Sequence, residues 1–501
     1  MIDTKALRQK ILDMAIKGKL VPQDPNDEPA SVLLERIRAE KQQLIKDGKI
    51  KKDKNDSVIF KGDDNRYYEN LPCGWSVSTL SQVTSSQLLN DGDWILSENM
   101  DPNGNVKLIQ LGSIGLMRYI DKGFKYLTED TFHKLSCTQI FPGYMLINRI
   151  ISDKMYACIL PQLEGKLITT VDTCWIAPKD EWYNLKYLMY FISSTVFQSI
   201  VLHVSSGTTR KRISKSDLIH LPIYLPPLSE QQRIVSRVDE LFEQIDIIEK
   251  NQADIDALYD EFRKRTLTLA IQGKLVPQDP NDELASVLIE RIRAEKKAKL
   301  GKKYVDSYIY KGDDNCYYEH ITGRAQDEPV EVPFDIPDNW EWSKIKYIAD
   351  TQTGTTPSTS DKSNFGDYIS FVKPGDLVNG RILYNREMLS ERGLNNGRLI
   401  PSNSVIMVCI GGSTGKCALT DRDISCNQQI NTASPCKWVL PQYLFFFMTS
   451  DYFYKTVRAN ATGTATPIIN RSTWENLVIP IPPLAEQKRI VAKINEIFAM
   501  L

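Results

Sequence analysis

From Ile234 onward, apolar residues recur at Val238, Leu241, Ile245, Ile248, Ile255, Tyr259 and Phe262, with Gln252 at the one polar step, so that intervals of four and three alternate without a break. That 3.5-residue period predicts a coiled-coil seam, a narrower stripe than the face of an ordinary core helix. Pro226, Pro227 and Leu228 precede Ser229, and Gln232 three residues later completes a capping box, which predicts a helix start at Ser229. An end near Gln272, before Gly273, makes a rod ~65 Å long at 1.5 Å per residue. Elsewhere the patterns are shorter. "VKLIQLGSIG" (Val106 to Gly115) predicts a strand running into a glycine loop, and "LINRI" (Leu146 to Ile150) ends another strand. "YLMYFI" and "YLFFFM", which align with each other, predict a core helix in each half.

The pattern occurs twice. "GKLVPQDPNDEPASVLLERIRAEK" (Gly18 to Lys41) returns as "GKLVPQDPNDELASVLIERIRAEK" (Gly273 to Lys296), the copies differing only at Pro29/Leu284 and Leu34/Ile289. "KGDDNRYYE" (Lys61 to Glu69) returns as "KGDDNCYYE" (Lys311 to Glu319), and "LPPLSEQQRIVSRVDELF" (Leu225 to Phe242) as "IPPLAEQKRIVAKINEIF" (Ile481 to Phe498). Between these matches lie two divergent stretches, roughly Gln87 to Trp182 and Gln352 to Trp438, opened by "LPCGW" and "IPDNW". A scaffold duplicated around divergent inserts predicts two related readers set to different targets.

The ends of the chain fit the same repeat. Leu501 aligns with Ile245 and Met1 with Asp256, so the carboxyl end carries the first part of a second long helix and the amino end carries the rest. Only Asp246 to Ile255 lack a counterpart. The expectation is a circle cut inside one of two equivalent helices, with the broken helix packed antiparallel along the intact one in approximate two-fold symmetry. Closure of the circle makes a complete chain the expectation. The expected fold class is α+β: two globular α/β reader domains separated by long antiparallel coiled-coil helices, pseudo-two-fold with a circular organisation. The domains run 1–70 (conserved region carrying the distal helix), 71–228 (first recognition domain), 229–332 (central conserved region), 333–484 (second recognition domain) and 485–501 (conserved helix start). Ala485 in place of Ser229 weakens the second start.

Composition narrows the class. A chain of 501 residues with a net charge of −1 is a multidomain protein, and its overall charge does not exclude DNA, which local basic clusters bind. No apolar run is long enough to span a bilayer, and "MIDTKALRQKILDMAIKGK" lacks the apolar core of a secretory signal, so the expected location is cytoplasmic. Nine cysteines without a CxxC pair and four scattered histidines indicate reduced, buried thiols and no zinc site.

The helix starts "PPLSEQQRIV" and "PPLAEQKRIV", the "GKLVPQDPNDE" segments, the "LPCGW" and "IPDNW" openings, and "GTTPS", "SFVKPGDL" and "GKCALTDRDISCNQQI" in the second insert together resemble the DNA-specificity (S) subunit of type I restriction-modification systems. The resemblance covers essentially the whole chain. It implies that each insert is a target recognition domain reading one half of a split site in double-stranded DNA. It further implies that the conserved helices set the spacing and bind two methyltransferase (M) subunits, with restriction (R) subunits joining the full complex. S-adenosylmethionine, ATP and Mg2+ are then implied for the partner subunits, none for this chain, which is non-catalytic.

Several residues are candidates for contact with DNA. "SSGTTRKRISKS" supplies Thr208, Thr209, Arg210, Lys211, Arg212 and Lys215, suited to phosphates and, through arginine, to guanine. Its echo "ATGTATPIINRS" keeps Thr464 and Arg471. Gln110, Asn148 and Arg149 in the first insert, with Thr355, Thr356, Ser358, Lys373, Asn427, Gln428 and Gln429 in the second, could present amides, hydroxyls or cations to base edges. The near-identity of the twin segments beside divergent readers, with the resemblance, nominates Asp24, Asp27, Asp279 and Asp282 as a surface for the methyltransferase. Catalytic patterns fail. "GGSTGKC" has Ile410 where a phosphate loop needs its first glycine and Cys417 where it needs a hydroxyl. Asp153, Glu164 and Lys166 have the residue types of a metal-dependent nuclease, but the second domain lacks them. No "NPPY"-type methyltransferase motif occurs. The competing readings are a stand-alone site-specific endonuclease and a coiled-coil DNA scaffold without sequence preference.

Overall fold

A computed structural model describes residues 2–50, 71–205, 211–463 and 465–500. The chain divides into two units, 1–253 and 254–501, and the boundary falls inside the long helix Leu228–Ile271. Residues 229–332 therefore contribute to both units.

In the first unit the recognition domain is built on a four-stranded antiparallel sheet in the order Leu89–Asp91, Thr173–Ile176, Met145–Asn148, Ala157–Ile159. A three-stranded sheet, Phe124–Leu127, Val106–Ile109, Lys166–Thr169, has its last pair parallel. The entry strand Ser76–Thr79 pairs antiparallel with the exit strand Pro222–Leu225, which closes the domain just before the long helix. The apolar runs behave as their pattern predicts: Leu185–Ser193, which contains "YLMYFI", buries Tyr187, Leu188, Phe191 and Ile192 in the core. Ile11, Leu12 and Ile16 of the helix Thr4–Ile16 join that core, with Leu33 and Ile37 of Ala30–Lys46 and Ile234, Val238 and Ile245 of the long helix. Thr4–Ile16 runs antiparallel to the long helix: the Ile2 amide donates to Gln252 Oε1 at 3.3 Å, while Arg8 pairs with Asp246 and lies 5.0 Å from the centre of the Phe242 ring.

The second unit repeats this plan. Its four-stranded sheet has the order Ala349–Thr353, Ile430–Pro435, Val405–Val408, Cys417–Leu419. Glu341–Lys344 pairs with Val478–Ile481, and "YLFFFM" lies on the buried helix Pro441–Met448. Leu484–Met500 packs Ile490 and Ile494 against Leu267 and Ala270 at the far end of the long helix. Arg263 lies 5.0 Å from the Phe498 ring centre, repeating the Arg8–Phe242 contact at the aligned positions. "KGDDNCYYE" spans a hairpin between Ser307–Lys311 and Tyr317–Ile321. The aligned residues 61–69 lie outside the described residues.

Two expectations are corrected. The long helix begins at Leu228, and Ser229 does not cap it: the Ser229 hydroxyl donates to Asp27 Oδ1. Its replacement by Ala485 therefore costs the second helix no start, and Leu484–Met500 opens at the aligned residue. The seam is buried only toward its two ends. Ile234 and Val238 are fully covered, whereas Ile255, Tyr259 and Phe262 are 47%, 40% and 49% exposed. Within each unit the described partner helix stops near Ile2 or Met500, short of that middle stretch.

Candidate nucleic-acid interface

At one end of the second unit's four-stranded sheet, four loops meet. Thr355 and Thr356 follow Ala349–Thr353, and the Thr355 amide donates to Cys426 O at 2.9 Å. The Thr356 hydroxyl donates to Gln428 Oε1, and Asn427 Nδ2 to Gln429 Oε1 at 2.9 Å. The Cys409 amide donates to Gln429 O at 2.8 Å, bringing in the turn 409–416, and Gly411 N donates to Pro467 O at 2.9 Å, bringing in 462–468. Gly354 permits the approach, because a Cβ there would lie 2.2 Å from Asn427 O.

The first unit builds the same end from different side chains. Gly92 corresponds to Gly354, and a Cβ on it would lie 2.2 Å from Thr169 Oγ1. The Arg149 amide donates to Asp172 O at 2.9 Å and the Ile213 amide to Arg149 O at 3.2 Å, while Lys211–Arg212 pairs with Ile150–Ile151. Here charges replace the amides. Arg149 is buried, donates to Val171 O and stands 3.7 Å from Asp91; Arg212 pairs with Asp172 at 2.9 Å; Lys215 Nζ reaches Asn90 at 2.6 Å and Asp91 at 3.0 Å. Asn148 is buried and its Oδ1 accepts from the Ile150 amide at 2.8 Å, so it braces the turn.

The structure thus brings together Asn148, Arg149, Lys211, Arg212 and Lys215 in one unit, and Thr355, Thr356, Asn427, Gln428 and Gln429 in the other. Lys373 flanks the second group, since the Asn427 amide donates to Val372 O at 3.2 Å, but its amine is paired with Glu387. Gln110 flanks the first group in the same way, following Ile109, which pairs with Thr169 beside Gly92, and its side-chain amide donates to Lys122 O at 3.0 Å; Ser358 bonds Ser360; Arg471 pairs with Glu475 at 3.6 Å on its own helix. Thr208, Thr209, Arg210 and Thr464 lie outside the described residues. Of the nuclease-like residues, Asp153 accepts from Tyr156 Oη at 2.8 Å and Lys166 pairs with Glu129 at 2.6 Å. Sequence reasoning missed the 411–413 turn, set aside as a failed phosphate loop, and the paired glycines Gly92 and Gly354, which are the surviving trace of the shared loop end.

The twin segments each fold back on a helix start. Asp27 pairs with Arg233 at 2.6 Å, and Asp282 with Arg489 at 2.6 Å. The Arg233 guanidinium holds the Asp27 carboxyl below the usual carboxylate range. Asp24 and Asp279 are exposed, and each accepts from an amide two residues on, Asn26 N and Asn281 N, at 2.9 Å. Both units add a buried carboxylate: Glu230 accepts from Trp75 Nε1 at 3.0 Å and Gln23 Nε2 at 3.1 Å, and Glu486 accepts from Trp340 Nε1 at 2.8 Å and from Gln278 Nε2. Burial raises the pKa of both glutamates.

Two units of one α+β plan, each ending in the same four loops with different side chains, define a duplicated recognition protein. The family model described as the type I restriction modification DNA specificity domain matches residues 72–257 and again 337–500, and the chain belongs to that family. It is 27% identical to the type I restriction enzyme EcoAI specificity subunit of Escherichia coli over 98% of this chain and 88% of the relative. It is 28% identical to the EcoEI specificity subunit of the same species over 99% and 89%. In fold it is similar to a chain of a solved structure described as showing complex assembly and conformational transition of the type I R-M system: TM-score 0.53, 18% identity, covering 86% of this chain and 91% of that one.

Proposed function

We propose that this specificity subunit reads a split site in double-stranded DNA, each unit taking one half through its four-loop end. The observation that carries this reading is the repetition of the loop end with exchanged chemistry: arginine–aspartate pairs in the first unit, amides and hydroxyls in the second. The accessible members of both sets suit base edges, Arg212 pairing with guanine and Gln428 with adenine, while the buried Arg149 and Asn427 hold the loops behind them. Thr4–Ile16 and Leu484–Met500 are two pieces of one interrupted helix, each antiparallel to part of Leu228–Ile271, and together they form the pseudo-two-fold coiled coil that sets the distance between half-sites. The conserved regions recruit two methyltransferase subunits, and restriction subunits join them. The exposed Asp24 and Asp279 belong to that surface, while Asp27 and Asp282 shape it from behind. The chain itself is non-catalytic and works in the cytoplasm; S-adenosylmethionine, ATP and Mg2+ serve the partner subunits. Among the described residues no single helix is long and apolar enough to cross a membrane.

The test is domain exchange. Replacing residues 349–469 by the corresponding stretch of another specificity subunit, followed by mapping of methylated motifs in cells that carry the methyltransferase, should change one half of the motif and keep the other half. Alteration of both halves would contradict the modular reading.

A further inference from the structure

In each unit one carboxylate sits where three stretches remote in sequence converge. Glu230 lies in the first turn of the long helix and is 1% exposed; its two oxygens accept one hydrogen bond each, from Trp75, at the entrance of the recognition domain, and from Gln23, in the twin segment. Glu486 is 0% exposed and is held in the same way by Trp340 and Gln278. The Trp75 position leads directly into Ser76–Thr79, whose partner strand Pro222–Leu225 runs into the helix, so the carboxylate joins the domain's entry, its exit and the returning segment. A buried carboxylate is costly to desolvate, and an apolar residue of similar volume would fill the junction without that cost. What the carboxylate supplies is direction, since two donors fixed on separate elements set both the rotation of the helix and its tilt.

Tilt matters because the helix is a lever. At 1.5 Å per residue, the 44 residues of Leu228–Ile271 span ~66 Å. A swing of about 3° at the base moves the far end by about 3.4 Å, the rise of one base pair. We propose that Glu230 and Glu486 are positioning residues for site selection, which fix the angle at which each helix leaves its recognition domain and so hold the complex to a single spacer length. The proposal rests on the two-half-site reading above.

The experiment maps methylated motifs in cells that carry the partner subunits together with the full chain, either unaltered or as Glu230→Gln, Glu486→Gln, Trp75→Phe or Trp340→Phe. Glutamine offers one acceptor and one donor where two donors converge; phenylalanine removes one donor and keeps the ring. The unaltered chain should give both half-sites at one spacer length. Each variant should keep both half-sites and raise methylation at spacers one base pair longer or shorter, by about tenfold for Glu230→Gln and Trp75→Phe, the effect of ~1.4 kcal/mol of lost discrimination, and by less for Glu486→Gln and Trp340→Phe, which act on a helix of 17 residues. The same single spacer in variants that still methylate, whatever their overall rate, overturns the proposal. Should a glutamine variant abolish methylation, the phenylalanine variants decide: a widened spacer supports the proposal and an unchanged one overturns it. Failure of the unaltered chain to give a split motif would instead sink the two-half-site reading.

Discussion

Gly18 and Gly273 offer the sharpest test of the joint between twin segment, domain entrance and helix. Both adopt left-handed backbone, with φ of +63° and +67°, and a Cβ on them would lie 2.2 Å from Pro72 Cγ and 2.4 Å from Pro337 Cγ. Alanine therefore meets two separate costs. The left-handed conformation costs ~1–2 kcal/mol for a residue with a Cβ. Forcing a methyl group into a filled junction adds ~1–3 kcal/mol. Gly48 is the internal control, because its φ is +69° but a Cβ on it would meet nothing within 4 Å. Gly48→Ala should show the conformational cost alone. Hydrogen exchange is the suitable assay, since a chain of two units has no single unfolding free energy. The reporters are the Ala30 amide, which donates to Gly74 O at 2.8 Å, and the Ala285 amide, which donates to Asn339 O at 3.0 Å. Gly18→Ala should speed exchange at Ala30, and Gly273→Ala at Ala285, by about tenfold or more beyond the matched control, on the scale of ~1.4 kcal/mol per decade. Equal acceleration by Gly18→Ala and Gly48→Ala would refute the claim that the joint is closely packed.

Four further outcomes are expected. The Asp27 carboxyl titrates below its ordinary 3.8, chiefly through its hydrogen bonds to Arg233, so its stabilising contribution is present above that value and is lost as pH falls through the folded pKa; the urea midpoints of wild type and Asp27→Asn should differ at pH 7 and converge in acid. Burial pushes the Cys158 and Cys174 thiols up to about 12 and those of Cys137 and Cys409 up to about 11, so timed alkylation of the native chain should label the exposed Cys73 and Cys316 first. Gln428→Ala should relax one base position of the second half-site by ~1–3 kcal/mol and leave the first half-site unchanged, as read by competition binding of single-base variants. Asp24→Asn with Asp279→Asn keeps the acceptors that hold Asn26 and Asn281 and removes the charge; co-purification with the methyltransferase should fall while thermal unfolding stays put.

Much of the architecture was legible because the chain states it twice. Offsets alone matched the strands, helices and ends of the two halves, and the aligned Arg8–Phe242 and Arg263–Phe498 contacts bear out that alignment. The site was less legible, for a definite reason. Lys373 and Arg471 read as free cations in a sequence, but whether Glu387 or Glu475 stands beside them is decided by the fold. Ser229 was misread in the same way, its hydroxyl being taken by Asp27, 202 residues away in the chain. Nothing in the sequence singles out Glu230 from an ordinary first-turn acid, although its partners Trp75 and Gln23 are residues kept in both halves.

Those kept residues bear on why the twin segments stayed alike. Gly18, Gln23, Asp27, Ala30 and Leu33 each answer to a neighbour inside their own unit: a proline ring, a buried glutamate, an arginine, a backbone carbonyl, the apolar core. A change in any one needs compensation in a stretch dozens or hundreds of residues away, which resists drift in either copy. The loop ends carry no such obligation to one another, and there the two halves differ. The differences inside the segment obey the same logic, since Pro29 and Leu284 are exposed and Leu34 and Ile289 only half-buried. Internal contacts account for Asn26 and Asn281, which bond Asp24 and Asp279, and for Glu28 and Glu283, which pair with Arg36 and Arg291, but they leave a remainder: Pro25 and Glu35 are exposed, yet their counterparts Pro280 and Glu290 are identical. No internal neighbour enforces identity at all of these surface positions. A partner that meets both copies in the same way would, and the charge at Asp24 and Asp279 lies within that remainder.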